Sequence, residues 1–147
     1  MPSTQQRLGL ETYIVLFNRL DEGELVLPDS VSAAIEFSDP FCTLQGREAL
    51  AEYLQHFAEQ VSQPRFEILT RAWDADICLL RWNFRGGLKK PDDWCFPGVS
   101  ELHFDAAGRV VKHVDHWDSG RYFYARIPLL GWMIRRINAW VNKDRQP

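Results

Sequence analysis

The chain has 147 residues, a length that one domain fills, and its 46% apolar and 25% charged residues are the proportions of a globular protein. A net charge of −3 argues against a general nucleic-acid binder. Cys42, Cys78 and Cys95 show no C-x-x-C spacing, residues 1–6 read as no secretory signal, and no run of about 18 apolar residues offers a membrane span, so a cytoplasmic protein with free thiols is expected.

Ser3 or Thr4 can cap a first helix reaching about residue 20, with Leu8, Tyr13, Leu16, Phe17 and Leu20 on an apolar stripe. Asp21-Glu22-Gly23 stops it. Residues 25–29 read as a short irregular or helical piece, since Pro28 blocks any long helix there. Residues 31–37 read as a strand ending at Ser38-Asp39-Pro40, where Pro40 holds Asp39 extended. A second helix is expected from Arg47 to about Val61, with Leu50, Tyr53, Leu54, Phe57 and Val61 at three-four spacing and Pro64 closing it. Strands follow: 66–73, 77–84 and 94–104, separated by Asp74-Ala75-Asp76 and by a polar loop over 86–93. A turn at Asp105-Ala106-Ala107-Gly108, with Gly108 left-handed, leads into a last strand. Consecutive strands with short turns make an antiparallel meander, and two helices ahead of it should cover one face. The expected domain is α+β, spans 1–147, and leaves a conical cavity between sheet and helix.

Side chains alternate along a strand, so Ser100, Leu102 and Phe104 share one face, and His113, Asp115 and Trp117 share one face of the return strand. A His, an Asp and a Trp on one strand face are unusual for plain core. That face either lines a cavity, where chemistry would sit, or meets solvent or a partner subunit. A carboxylate near an imidazole fixes its tautomer and raises its proton affinity. His103 has the opposite parity, as do His116 and Asp118, and His56 follows the polar face of the second helix. No zinc-ligand spacing and no phosphate-binding glycine pattern is present, so neither metal nor cofactor is expected.

Residues 120–147 form a separate feature, a C-terminal helical extension. Ile127, Leu130, Ile134, Ile137 and Val141 lie on one helical stripe, widened by Trp132, Met133 and Trp140, while Arg135, Arg136 and Lys143 supply charge. Such a helix can pack on the domain or a second subunit, close over the cavity as a lid, or make peripheral membrane contact through 127–143.

Residues 13–117 together resemble the nuclear transport factor 2-like superfamily, which includes ketosteroid isomerase, scytalone dehydratase, limonene epoxide hydrolase and the SnoaL cyclases. Tyr13-Ile14-Val15-Leu16 resembles the isomerase helix bearing the oxyanion-hole tyrosine. Ser38-Asp39-Pro40-Phe41, followed by Gly46-Arg47-Glu48, resembles its general-base motif, and the 100–105 and 108–110 hairpin followed by Trp117 resembles its closing strands. The tail I-P-L-L-G is similar to that of a bacterial SnoaL-like subgroup. The resemblance implies a cone in which a curved antiparallel or mixed sheet wraps around N-terminal helices, with an extra C-terminal amphipathic helix, and a homodimer formed through the outer sheet face. It implies an apolar pocket lined by Tyr13, Trp82, Leu102, Phe104 and Trp117, with Asp39, His113 and Asp115 as its polar groups. Asp39 matches the base and Tyr13 the phenolic donor, while Ser100 stands where the isomerase has a protonated Asp. Two functions are open. One is a cofactor-independent isomerase, dehydratase or cyclase acting on a small apolar carbonyl compound, with Asp39 or Asp115 as base and His113 or Tyr13 as acid. The other is a non-catalytic ligand-binding or interaction module.

Overall fold

The structure, a computed structural model, describes residues 1–88 and 93–143, so part of the expected 86–93 loop lies outside the described residues. The chain divides into two compact units, Met1–Trp117 and Asp118–Pro147.

In the first unit, helix α1 (Thr4–Phe17) opens with a capping box, in which the Ser3 hydroxyl and the Gln6 side chain exchange bonds with each other's backbone. Its buried face is Gln6, Gly9, Leu10, Tyr13 and Leu16, so Leu8, expected on the stripe, is exposed instead. The helix ends before residue 20 because the Asn18 side chain clasps the backbone of Phe66, accepting from its N–H at 2.8 Å and donating to its carbonyl at 3.2 Å. Residues 25–29 are not helical. The guanidinium of Arg47 takes the carbonyls of Leu27, Pro28 and Val31, which would otherwise serve a helix.

Strand β1 (Val31–Ser38) turns at Asp39 into β2 (Thr43–Gln45), then comes helix α2 (Arg47–Gln60). The meander follows as β3 (Ser62–Asp74), β4 (Ile77–Gly87), β5 (Trp94–Phe104) and β6 (Val110–His116). The sheet order is β2-β1-β6-β5-β4-β3, and β1 runs parallel to β6 while every other pair is antiparallel. The sheet is therefore mixed, where consecutive strands alone predict a pure meander. β3 starts well before Phe66 and contains Pro64, which is tolerated because β3 is an edge strand and its register shifts between Ser62 and Arg65. Gly108 takes the expected left-handed angle, φ +81°.

β4 and β5 alternate strictly, placing Cys78, Leu80, Trp82 and Phe84, and Trp94, Phe96, Ser100, Leu102 and Phe104, on the inner face. Tyr13 and Leu10 of α1 and Leu50 and Leu54 of α2 meet them in the interior of the cone. The second unit holds α3 (Ser119–Tyr122), capped by Asp118, a 3-10 turn (Tyr124–Arg126), and α4 (Pro128–Asn142), with Pro128 at its first turn. Among the described residues, no helix is long and apolar enough to cross a membrane.

Candidate functional site

Strand register builds the site. Ser100 on β5 pairs across from Asp115 on β6, Leu102 pairs across from His113, and Trp82 on β4 pairs with Gly98. Gly98 is needed there, because a Cβ would come within 2.3 Å of the Trp82 ring. Its absence lets the indole lie across the strand and aim its N–H at Ser100.

The polar side chains form one continuous line. Trp82 Nε1 donates to Ser100 Oγ at 2.8 Å, and Ser100 Oγ donates to Asp115 Oδ1 at 2.5 Å. His113 Nε2 lies 2.5 Å from the same Oδ1, and His113 Nδ1 lies 2.7 Å from the Tyr13 hydroxyl. The indole has only a proton to give, so the serine proton is committed to Asp115. With Asp115 ionised, Nε2 carries the imidazole proton, Nδ1 of the neutral ring accepts, and the Tyr13 O–H donates to it. Every donor in the line then has an acceptor. Burial, followed by the nearby Asp115 charge, pushes the Tyr13 hydroxyl well above its ordinary range, so it remains a phenol. His113 is fixed in place by rings on three sides, with Phe37, Phe17 and Tyr13 edge-on at 4.9, 5.4 and 5.5 Å.

Two hollows meet at this line. The first is walled by Tyr13, Phe17, Leu80, Ser100, Leu102 and His113, among others, and has a free volume of about 30 Å³. The second, of about 50 Å³, is lined chiefly by rings, including Phe37, Phe41, Tyr53, Phe57, Phe96 and Trp117. Phe17, Phe66, Trp82 and Asp115 belong to both walls. Asp115 also lines an outer groove with Ser38, Asp39, Pro40 and Trp117, and Asp39 and Trp117 share both this groove and the second hollow with it. Asp115 Oδ1 holds both hydrogen bonds, and among the described residues none is made to its Oδ2.

Asp39 is placed differently. Its Oδ1 accepts from the backbone N–H groups of Phe41 and Cys42 at 2.8 and 3.0 Å, and its Oδ2 accepts from the Tyr53 hydroxyl. The carboxylate therefore closes the β1–β2 turn, its two oxygens occupied by three donors. Burial, then the bond to Asp39, holds the Tyr53 hydroxyl far above its ordinary range. From the sequence alone Tyr53 has no role beyond the apolar stripe of α2. Only its meeting with Asp39, across the α2 packing, reveals one.

The expected pocket set is thus largely brought together: Tyr13, Trp82, Ser100, Leu102, His113, Asp115 and Trp117 line the hollows, and Asp39 reaches the second. Phe104 does not. It is buried at the far end of β5, against Trp73 at 5.2 Å, with its N–H bound to Asp76 of the β3–β4 turn. A register shift between His103 and Phe104 accompanies this displacement. His103 lies outside, paired with Glu101 at 2.6 Å, as its parity requires. Among the described residues, no group of three His, Cys, Asp or Glu side chains is placed to hold a metal ion.

Residues 11–113 match the family model for the SnoaL-like domain. The chain belongs to the SnoaL-like domain family. Solved structures with this fold include an NTF2-like protein of unknown function from Burkholderia pseudomallei K96243, with a TM-score of 0.69, 14% identity, and coverage of 81% of this chain and 95% of that one. A putative SnoaL-like polyketide cyclase from Shewanella denitrificans OS-217 superposes with a TM-score of 0.67 at 19% identity, covering 83% of this chain and 98% of the other. A protein with a ketosteroid isomerase-like fold from Catenulispora acidiphila DSM 44928, solved in complex with trimethylamine, gives 0.67 at 14% identity over 79% and 91%. No curated protein matches the chain in sequence.

Proposed function

We propose that this SnoaL-like domain takes up a small apolar molecule and moves a proton on it, with Asp115 as the base. The observation that carries this reading is the asymmetry of the Asp115 carboxylate. One oxygen is clamped by Ser100 and His113, the other accepts no hydrogen bond among the described residues, and Asp115 lines two apolar hollows. A carboxylate held in that way is positioned without being blocked, whereas Asp39 is spent on its own turn.

The reaction class is proton abstraction next to a carbonyl, as in a cofactor-independent isomerase, dehydratase or cyclase. Asp115 Oδ2 takes the proton, and the C–H electron pair moves into the carbonyl to give an enolate. The proton then returns at another carbon, or a β-substituent leaves with its electron pair. The Tyr13 hydroxyl lines the same hollow and supplies a donor to the developing oxyanion when its proton turns away from His113 Nδ1. The free volumes, about 30 and 50 Å³, admit only a few atoms, against the roughly 300 Å³ or more of ordinary ligand pockets. A polyketide-sized substrate requires Phe17, Phe66 and Trp82, the shared wall, to move.

This reading is tested by incubating a small cyclic ketone in deuterated buffer with the protein and following loss of its α-proton signals. Exchange well above the protein-free rate is expected, since a placed general base contributes about 10²–10⁴-fold. A ketone that binds and does not exchange would overturn it.

A second reading, binding of a small organic cation without turnover, has its own support. The second hollow is lined mainly by aromatic rings, contains two carboxylates, Asp39 and Asp115, and has no lysine or arginine among its described lining residues. Rings and carboxylates together favour an ammonium group. Saturable binding of trimethylamine with no ketone exchange would select this reading over the first.

A further inference from the structure

From helix α4 and the charge around it, we infer that the C-terminal unit is a docking surface for an anionic lipid bilayer. The inference is independent of the pocket's chemistry. At about 100° per residue, Leu129, Trp140, Met133, Ile137, Leu130, Val141 and Ile134 fall in one arc of about 140°. The opposite arc carries Arg135, Arg136, Asn138 and Asn142, with Lys143 following the helix. Leu129 is 73% exposed, Ile137 57%, Trp140 77% and Val141 62%, while Gly131 is the one buried residue of the helix. So many bulky apolar groups in water on a 15-residue helix call for a cover.

Charge says which cover. Residues 119–147 contain six basic residues and one acidic residue, a balance of +5. The whole chain is −3, so residues 1–118 carry −8. Between residues 119 and 143 there is no acidic side chain at all. Two C-terminal units of +5 each would repel one another on association, whereas an anionic headgroup layer would meet the basic arc as the apolar arc enters the acyl boundary. Arg136 sits at the border of the two arcs and Trp132 falls just inside the basic one, its ring 5.2 Å from the Arg136 guanidinium, an amphipathic indole among the groups that would meet the headgroups. The strongly negative remainder of the chain would be repelled, leaving the C-terminal unit as the point of contact.

Flotation of the full-length protein with vesicles tests this. Binding is expected to vesicles of phosphatidylcholine with phosphatidylglycerol, to weaken as salt rises, and to be near background on phosphatidylcholine alone. The R135Q/R136Q double variant should bind about 30-fold more weakly, because each basic residue near an anionic surface contributes about fivefold. Ile137→Asp should abolish binding. Both variants alter exposed positions, and far-UV circular dichroism confirms that they fold. Equal binding to both vesicle types would overturn the inference. So would no binding to either, including the case in which the protein is a dimer that Ile137→Asp converts to monomers, since a second copy would then be the cover.

Discussion

Replacing Ser100 by alanine removes the atom that joins Trp82 to Asp115. The Trp82 indole is 3% exposed, and its N–H has Ser100 Oγ as its acceptor at 2.8 Å. Truncation leaves a buried donor unpaired, at a cost of about 1–3 kcal/mol, and takes from Asp115 one of its two hydrogen bonds. With a urea m-value of about 2 kcal/mol/M for a domain of this size, the unfolding midpoint should fall by roughly 0.5–1.5 M. Trp82→Phe removes the donor and also leaves a cavity, so it destabilises by itself. The double variant S100A/W82F separates the two effects. Once the indole is gone, the serine hydroxyl has no donor to receive, and the two losses should fall short of additive by about 0.5–2 kcal/mol. Urea titrations of the three variants and the parent measure this. Strict additivity, or Ser100→Ala within about 0.5 kcal/mol of the parent, would refute a continuous hydrogen-bonded line.

The remaining predictions concern single positions. Gly98→Ala should drive a Cβ into the Trp82 ring, now 2.3 Å from that point, and lower stability by about 1–3 kcal/mol in urea titration, with a changed near-UV circular dichroism band as the indole shifts. Asp39→Ala should cost about 1–3 kcal/mol, because two backbone N–H groups and the Tyr53 hydroxyl lose their acceptor. Asp39→Asn retains an acceptor oxygen for the turn and should cost less, a difference read from chemical denaturation. Tyr13 binds its proton more tightly folded than unfolded, where its value is 10.0. Its contribution is complete below pH 10 and is lost above it, at about 1.4 kcal/mol per pH unit, and phenolate absorbance from this residue should appear only with unfolding. Tyr13→Phe should flatten that alkaline fall in stability, and an unchanged slope would contradict the assignment.

Strand alternation made much of the site legible. Period-two spacing on β5 and β6 puts Ser100, Leu102, His113 and Asp115 inside and His103 outside without reference to any other segment, because the Gly108 turn fixes which residues face each other. Alternation gives the face and not the depth, and that is why Phe104 shares the parity of Ser100 yet packs beyond the hollows against Trp73. Asp39 shows a different limit. The Ser-Asp-Pro-Phe motif marks a carboxylate at a strand end, but its occupation by the amides of Phe41 and Cys42 and by Tyr53 depends on how the turn closes and where α2 lies. β2, at three residues, is too short to have a period, and the parallel pairing of β1 with β6 joins segments more than 70 residues apart, beyond any local pattern. Arg47 was visible only as a family-like position. Its grip on three carbonyls is what keeps residues 25–29 from coiling.

The choice between the two carboxylates is decided by one comparison, ketone α-proton exchange in Asp115→Asn and Asp39→Asn measured side by side with the parent. In Asp115→Asn the amide oxygen should stay with Ser100 and His113, turning an NH₂ group toward the hollows, where it cannot accept a proton. Exchange should fall by about 10²-fold or more in Asp115→Asn and stay within a few-fold of the parent in Asp39→Asn. Exchange lost in Asp39→Asn and kept in Asp115→Asn would contradict the account and return the base to the β1–β2 turn.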